Sequence, residues 1–306
     1  MSILASLKLN IRHILTTPPP ALDHVLPGLL AGTVGALVAP GGLGKTMLLM
    51  QIGSAIAAGL PILGGALASS NLTPSKVVLL LAEEPAAVIH HRMHGVTEKL
   101  QQSMPSVSND NAQALLTRLD ENLCIYPLSG RGSLVHFGDG TEEYRQLVEL
   151  CKGARLIIVD PLRRFHDGDE NDTAMMTAVV NKFERLAHDT GAAVLMAHHA
   201  NRMSMTTAGG EHAYASRGCT ALTDGIRWQA NLSPVSDLLA SDFGIPKSEL
   251  RQYVRLDTPK TNYVGALETV VLRKAPHSGA MTLWLPEGTP KQSSARRNTP
   301  TSGAKR

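Results

Sequence analysis

The chain has 306 residues, 43% of them hydrophobic and 18% charged, with a formal net charge of +3. That balance excludes a disordered chain and a polytopic membrane protein, and the length suffices for a core without disulfide or metal staples. The three cysteines, Cys124, Cys151 and Cys219, are widely spaced and form no CxxC pair, which argues against a disulfide scaffold or a zinc site and suits a reducing, cytoplasmic setting.

In chain order, residues 1–17 form a short arm in which Ile3, Leu4, Leu7, Ile11, Ile14 and Leu15 recur at helical spacing. No basic region, apolar block and small-residue cleavage site follow one another there, so no signal peptide is expected. A helix this short is marginal alone and must dock on something. Pro18, Pro19 and Pro20 end it. The longest nearly apolar run, Leu29–Ala39, has 11 residues, well short of the ~20 a membrane-spanning helix needs. Apolar runs of strand length stand at Val34–Ala39, Val77–Ala82, Leu156–Val159 and Ala193–Ala197. Runs so continuous predict strands covered on both faces, as in a parallel sheet. Helical patterns lie between them at Thr46–Ala58, Ala86–Leu100, Thr141–Lys152 and Ala174–Asp189. The alternation predicts an α/β fold with a mostly parallel, doubly wound sheet. Late strands, antiparallel by their turn spacing, are predicted at Gln252–Leu256, Ala266–Leu272 and Met281–Leu285.

Residues 287–306 hold five basic side chains and one acidic. Taken from the totals of 29 and 26, they leave 24 basic and 25 acidic side chains, a net of −1 for the body. From Gly288 onward there is no Val, Ile, Leu, Met or aromatic residue, so the end reads as a flexible basic tail. Any grip on nucleic acid must come from a local patch, a loop or this tail.

The strongest motif is Ala39-Pro40-Gly41-Gly42-Leu43-Gly44-Lys45-Thr46, between an apolar strand and an apolar helix. Glycines at 41, 42 and 44 let backbone N–H groups converge on phosphate oxygens at the positive end of the new helix. Lys45 then reaches the outer phosphates, and the Thr46 hydroxyl ligates Mg²⁺. The usual first glycine is Ala39, a small change because the later glycines make the turn. Hydrolysis of a nucleoside triphosphate also needs a carboxylate supporting the metal and a group that activates water. Asp160 ends the run Leu156–Val159 and suits the first role. Glu83, just beyond Val77–Ala82, is the candidate general base, with Glu84 leading into the next helix. A third run ends in His198-His199; either ring could bond the terminal phosphate and report its loss. His90 and His94 are one helical turn apart, but without a cysteine partner or HExxH order a solvated helix face is the better reading of that pair than a metal site.

Two loops follow the Asp160 and His199 strands. Pro161–Asp172 carries Arg163 and Arg164; Ala200–Ala215 carries Arg202 and has no apolar periodicity, a pattern of functional or disordered segments.

With these loops the chain resembles the hexameric replicative helicases of broad-host-range plasmids, the RepA type, within the RecA-like ATPase superfamily. The resembling stretches are Pro18-Pro19-Pro20, Val25-Leu26-Pro27, Ala31–Val38, Pro40-Gly41-Gly42 with Gly44-Lys45, Ile89-His90-His91-Arg92, Leu162-Arg163-Arg164-Phe165-His166, Asp189-Thr190-Gly191, His198-His199-Ala200, Ala215-Ser216-Arg217-Gly218 and Ile226-Arg227-Trp228. They span about residues 18–265 and leave out the arm, residues 101–135 and the tail.

The resemblance implies a RecA-like core at 18–286 and a homo-hexameric ring with ATP and Mg²⁺ at each subunit interface. It implies Lys45 and Thr46 on phosphate and metal, Glu83 as base, Asp160 on the metal and His199 as γ-phosphate sensor. It makes Arg227 the arginine finger entering the neighbour's site, with Lys260 a second basic contact. The two loops line a channel and hold single-stranded DNA through Arg163, Arg164 and Arg202. The implied activity is ATP-driven unwinding of forked DNA in plasmid replication, moving 5′→3′, with initiator and primase proteins as partners and no membrane. An ATP-switched DNA-binding or loading protein with the same fold is the alternative. The arm is expected on the neighbouring subunit, and the tail on DNA or as a solubilising extension.

Overall fold

A computed structural model describes residues 7–67, 73–104, 108–131, 141–199 and 220–286. Among the described residues of the arm stands a short helix, α1 (Ile11–Thr16), with no buried residue; Leu7, Leu9, Ile11, Ile14 and Leu15 all face solvent in the single chain. A small hairpin, β1 (His24–Leu26) and β2 (Leu29–Leu30), follows and buries Val25, Leu26 and Leu29. Then come β3 (Val34–Ala39), α2 (Lys45–Ala58), β4 (Val77–Leu81), α3 (Ala86–Gln102), α4 (Asn109–Asn122) and β5 (Leu123–Pro127). They are followed by α5 (Glu142–Cys151), β6 (Leu156–Asp160), a 3₁₀ turn at Leu162–Phe165, α6 (Thr173–Thr190) and β7 (Ala193–His199). The chain continues through α7 (Thr220–Gly225), β8 (Trp228–Pro234), α8 (Asp237–Asp242), β9 (Tyr253–Thr261), β10 (Val270–Lys274) and β11 (Met281–Trp284). The predicted tail from 287 lies outside the described residues.

Nine strands form one sheet in the order β11-β10-β9-β8-β3-β7-β6-β4-β5. From β8 to β5 every pairing is parallel; β9, β10 and β11 add an antiparallel wing. This is the expected α/β architecture. The parallel strands have apolar side chains on both faces because helices cover both. One core joins α2, α3 and α4 to Leu79, Leu81, Leu156, Ile158, Leu195 and Ala197. The other joins α6 and the end of α5 to Val78, Leu80, Ile157, Val159, Val194 and Met196. Among the described residues, no helix is long and apolar enough to cross a membrane.

The four helices predicted between the strands are observed within one residue of their ends, except for two further residues at the end of α3. Two strands are longer than predicted: β6 takes in Asp160, and β7 takes in His198 and His199. The apolar run stops short because these last positions are polar, Asp160 and His198 being buried and His199 exposed. β9 also runs on, through Pro259 to Thr261. Its ladder with β8 slips there: Gln229 pairs with Lys260, while Asn231 pairs with Asp257. The extra residues on β9 form a bulge, where a proline lacking its N–H is tolerated. The second late strand starts at Val270, not Ala266. β8 escapes an apolar-run reading because Gln229, Asn231 and Ser233 alternate with Trp228, Ala230 and Leu232, and both sets are buried.

The antiparallel wing is fastened to α2 by one amide. The buried Gln51 Nε2 donates to the Met281 carbonyl (2.8 Å), and the Met281 N–H donates to Gln51 Oε1 (2.7 Å). The side chain thereby imitates a neighbouring strand for β11. Gln51→Ala strands a buried donor and a buried acceptor together, and is expected to lower unfolding free energy by about 2–4 kcal/mol in denaturant titration.

Candidate active site

The carboxyl ends of β3, β7, β6 and β4 lie side by side, with Ala39 opposite His199 and Leu81 opposite Asp160. In open α/β sheets ligands bind at that edge. Side chains alternate along a strand, and this alternation sorts the last residues. Asp160 falls on the face of Leu156 and Ile158, with α2, and His199 on the face of Leu195 and Ala197, also with α2. His198 falls on the opposite face, with Val194 and Met196. The structure thus separates the two histidines, which the sequence leaves equivalent.

The turn from β3 to α2 is a glycine loop. Gly44 caps α2 at φ 100°, in the left-handed region that favours glycine, and Gly42 stands at φ 81°. A Cβ on either Gly41 or Gly42 would meet nothing within 4 Å, so their backbone borders open space into which a phosphate fits. Lys45 is 6% exposed. Its Nζ donates to the Ala39 carbonyl (3.0 Å) and to His199 Nδ1 (3.1 Å). Burial lowers the Lys45 pKa, while Asp160 and Glu83 pull it back up. Because His199 Nδ1 accepts from an ammonium, its ring proton sits on Nε2, which points at Glu83 Oε2, 3.8 Å away. Burial also lowers the His199 pKa, with Lys45 adding to the effect.

The Asp160 carboxyl receives the Thr46 hydroxyl and lies near Lys45. The pair offers only oxygen donors, the set that Mg²⁺ prefers, and the buried carboxyl has charge to spare for a cation. Glu83 stands at the mouth, between His199 and Arg164, whose Nε is 3.9 Å from Glu83 Oε1. Glu84 turns away and pairs with Arg92 of α3, leaving Glu83 facing the phosphate loop. Sequence reasoning missed this partner of Glu84, although Arg92 lies in a resembling stretch.

Other predicted residues go elsewhere. The Arg163 guanidinium donates to the carbonyls of His166 (3.3 Å) and Gly168 (3.2 Å), folding its own segment. Arg227 is exposed at the amino end of β8, and its N–H donates to the Val34 carbonyl. Val34 begins β3, so Arg227 lies five residues back from Ala39, on the order of 17 Å along the strand. Lys260 stands beside Arg227 and donates to the Thr223 carbonyl; burial lowers its pKa, with Asp224 opposing and Arg227 adding. Arg227 and Lys260 therefore share one patch, remote from the phosphate loop of their own chain. Arg202 and the Ala200–Ala215 loop lie outside the described residues. His90 and His94 stack on exposed α3 at 5.1 Å between centroids. Sequence reasoning also missed a buried cluster of His166, Glu170 and His198. Glu170 Oε1 is 3.5 Å from His166 Nε2 and 3.9 Å from His198 Nδ1.

Burial, the largest influence on Asp160, pushes its pKa up to about 6, against the Thr46 hydrogen bond and Lys45. A carboxyl whose folded pKa exceeds its unfolded value weighs against the fold as pH rises through that interval, and fully above it. Asp160→Asn is therefore expected to raise the melting temperature of the nucleotide-free chain near pH 8, by at most the ~3 kcal/mol that about two pKa units represent. In calorimetry the gain should fade as pH falls towards about 4.

Residues 4–205 match a family model described as an AAA domain, AAA_25. Among solved structures, the fold is similar to one described as the ATPase domain of G40P, with a TM-score of 0.53 and 13% identity over 82% of this chain and 84% of that one. It is similar to a DnaB-like replicative helicase, described with its interactions with primase, at a TM-score of 0.55 and 14% identity over 82% of this chain and 57% of the other. It is also similar to a KaiC-like protein from the hyperthermophilic archaeon Pyrococcus horikoshii OT3, at 0.52 and 13% over 87% and 95%. These likenesses show the fold, a RecA-like α/β core with antiparallel strands at its carboxyl-terminal end. With more than half of its length inside the family match, the chain belongs to the AAA_25 family of AAA domains.

Proposed function

We propose that this protein hydrolyses ATP to move along single-stranded DNA and open duplex ahead of it, working as a ring of six copies in plasmid replication. One observation carries the reading. Lys45, Thr46, Glu83, Asp160 and His199, the groups assigned here to hydrolysis, meet at one pole of the sheet, while Arg227 and Lys260 share a patch at the other. A neighbour's arginine can complete such a site, and such fingers are worth ~10³–10⁵ in rate. The likeness to a structure described as a DnaB-like replicative helicase with primase supports the helicase reading and primase as a partner; a plasmid initiator as partner rests on the sequence resemblance. The sequence resemblance supports the plasmid role, cytoplasmic location and 5′→3′ direction.

The residues divide the work. Backbone N–H groups of Gly41–Thr46 hold the β- and γ-phosphates. Lys45 releases the Ala39 carbonyl and His199 to meet the terminal phosphate. Thr46 and Asp160 would hold Mg²⁺, which would supply positive charge against the phosphates. Glu83 orients the attacking water and takes its proton. His199, freed from Lys45, bonds the γ-phosphate and loses that bond when the phosphate leaves. Arg227 and Lys260 approach the next copy's nucleotide. Arg164 and Arg202 hold the strand in the channel, and Arg163 keeps its segment folded. The exposed apolar residues of α1 pack on the next copy, and the tail adds DNA contacts.

The test uses two variants, alone and mixed. Lys45→Ala is expected to abolish turnover and unwinding of a forked duplex. Arg227→Ala is expected to bind nucleotide normally and lose ~10³-fold in turnover, with a mass of about six chains retained by light scattering. Mixing the two creates interfaces with an intact site and an intact arginine, so turnover should partly return. A mixture as inactive as its components overturns the arginine in trans. DNA-independent turnover by a single copy, without unwinding, overturns the helicase reading.

A further inference from the structure

The segment from Pro161 to Asp172 touches the hydrolytic site twice. Arg164 reaches Glu83 directly. The second contact passes through the buried cluster on the other face of the sheet. His166 and His198 are 3% and 6% exposed in their side chains, and Glu170 is 25% exposed. Neither nitrogen of His166, nor His198 Nδ1, nor Glu170 Oε1 has a hydrogen-bonded partner. Buried polar atoms left unpaired cost free energy, and those retained call for a role. Among the described residues no group of three His, Cys, Asp or Glu side chains is arranged to hold a metal ion.

The geometry of the cluster suits a part that moves. One carboxylate oxygen stands between two imidazoles, at 3.5 and 3.9 Å, beyond the 2.7–3.2 Å of a formed bond. A shift of about an ångström closes Glu170 on His198 or withdraws it towards His166. His166 and Glu170 belong to the segment; His198 belongs to β7. Arg163 bonds across the segment at the His166 and Gly168 carbonyls, so the segment shifts as one piece. The strand of β7 passes from His198 straight to His199, whose ring bonds Lys45. Burial lowers the His198 pKa, so at neutral pH its ring is uncharged and takes or gives one hydrogen bond at each nitrogen.

We propose that Glu170 is a positioning residue: through His198 it sets His199 at the phosphate site, so that DNA pulling on the segment after β6 changes the rate of ATP turnover. The inference rests on the proposed function, in which that segment meets single-stranded DNA. It adds a residue that touches neither nucleotide nor DNA.

The experiment measures ATP turnover of the full chain with and without saturating poly-dT, and reads the ratio. Wild type is measured first; a ratio of one there overturns the helicase reading, and this inference with it. Given stimulation in wild type, Glu170→Ala should cut the ratio about tenfold, within the range of ordinary coupling free energies. Affinity for a fluorescent ATP analogue should stay unchanged. Glu170→Gln keeps an acceptor oxygen at the same reach and should restore most of the stimulation. Glu170→Asp keeps the charge but withdraws the oxygen, and should behave like Glu170→Ala; it carries the test if the alanine variant does not fold. Full stimulation in Glu170→Ala or Glu170→Asp overturns the proposal. So does a loss that Glu170→Gln fails to restore, because the residue then serves only the fold.

Discussion

Lys45 is an ammonium enclosed by protein, and the site is arranged around that charge. Enclosure costs such a group its hydration, and the loss is met by the Ala39 carbonyl and His199 Nδ1. Asp160 and Glu83 supply opposite charge from the ends of two neighbouring strands. A triphosphate entering the glycine loop offers Lys45 better acceptors than a carbonyl and a neutral ring. The move frees His199, and with it the Nε2 proton facing Glu83. Lys45 thus rests on contacts that a triphosphate would replace, without any new group having to be assembled.

Much of this corner is legible in the sequence because its determinants are local. The glycine loop lies between an apolar strand and an apolar helix, and Asp160 ends an unbroken apolar run. Glu83 follows another, and the parallel sheet aligns all three ends. What the sequence hides depends on pairing and facing. His198 and His199 are identical as letters; only the α2 face of β7 tells them apart. Arg163 and Arg164 are adjacent and alike, yet one folds its segment and the other leans on Glu83. Glu170 reads as one acid in a polar loop, and its burial against two histidines exists only once β6 and β7 lie together. β8 is hidden for a related reason, since its buried polar residues interrupt the apolar signal.

The antiparallel wing shows how a strand far along the chain joins the nucleotide loop. Gln51 lies on α2, less than two turns from Lys45, and clasps Met281 through both its amide groups. The Met281 methyl approaches Gly44 so closely that a Cβ there would stand 2.5 Å away. Gly44 is held to glycine by its left-handed backbone, and a side chain there would also have to displace the Met281 methyl. The mouth of the nucleotide loop is thus shaped partly by the last strand of the sheet, and β9, which carries Lys260, lies two strands away in the same wing.

The placement of Arg227 and Lys260 at the pole opposite the phosphate loop bears on symmetry. A contact that brings this patch to a neighbour's loop joins two different surfaces, so it is head-to-tail. A pair that makes such a contact once leaves one patch and one loop unmatched, so further copies add in series. The series ends only by closing on itself, and the turn between successive copies decides whether it closes as a ring or winds on as a filament. That turn is written in the angle between two faces of one folded chain.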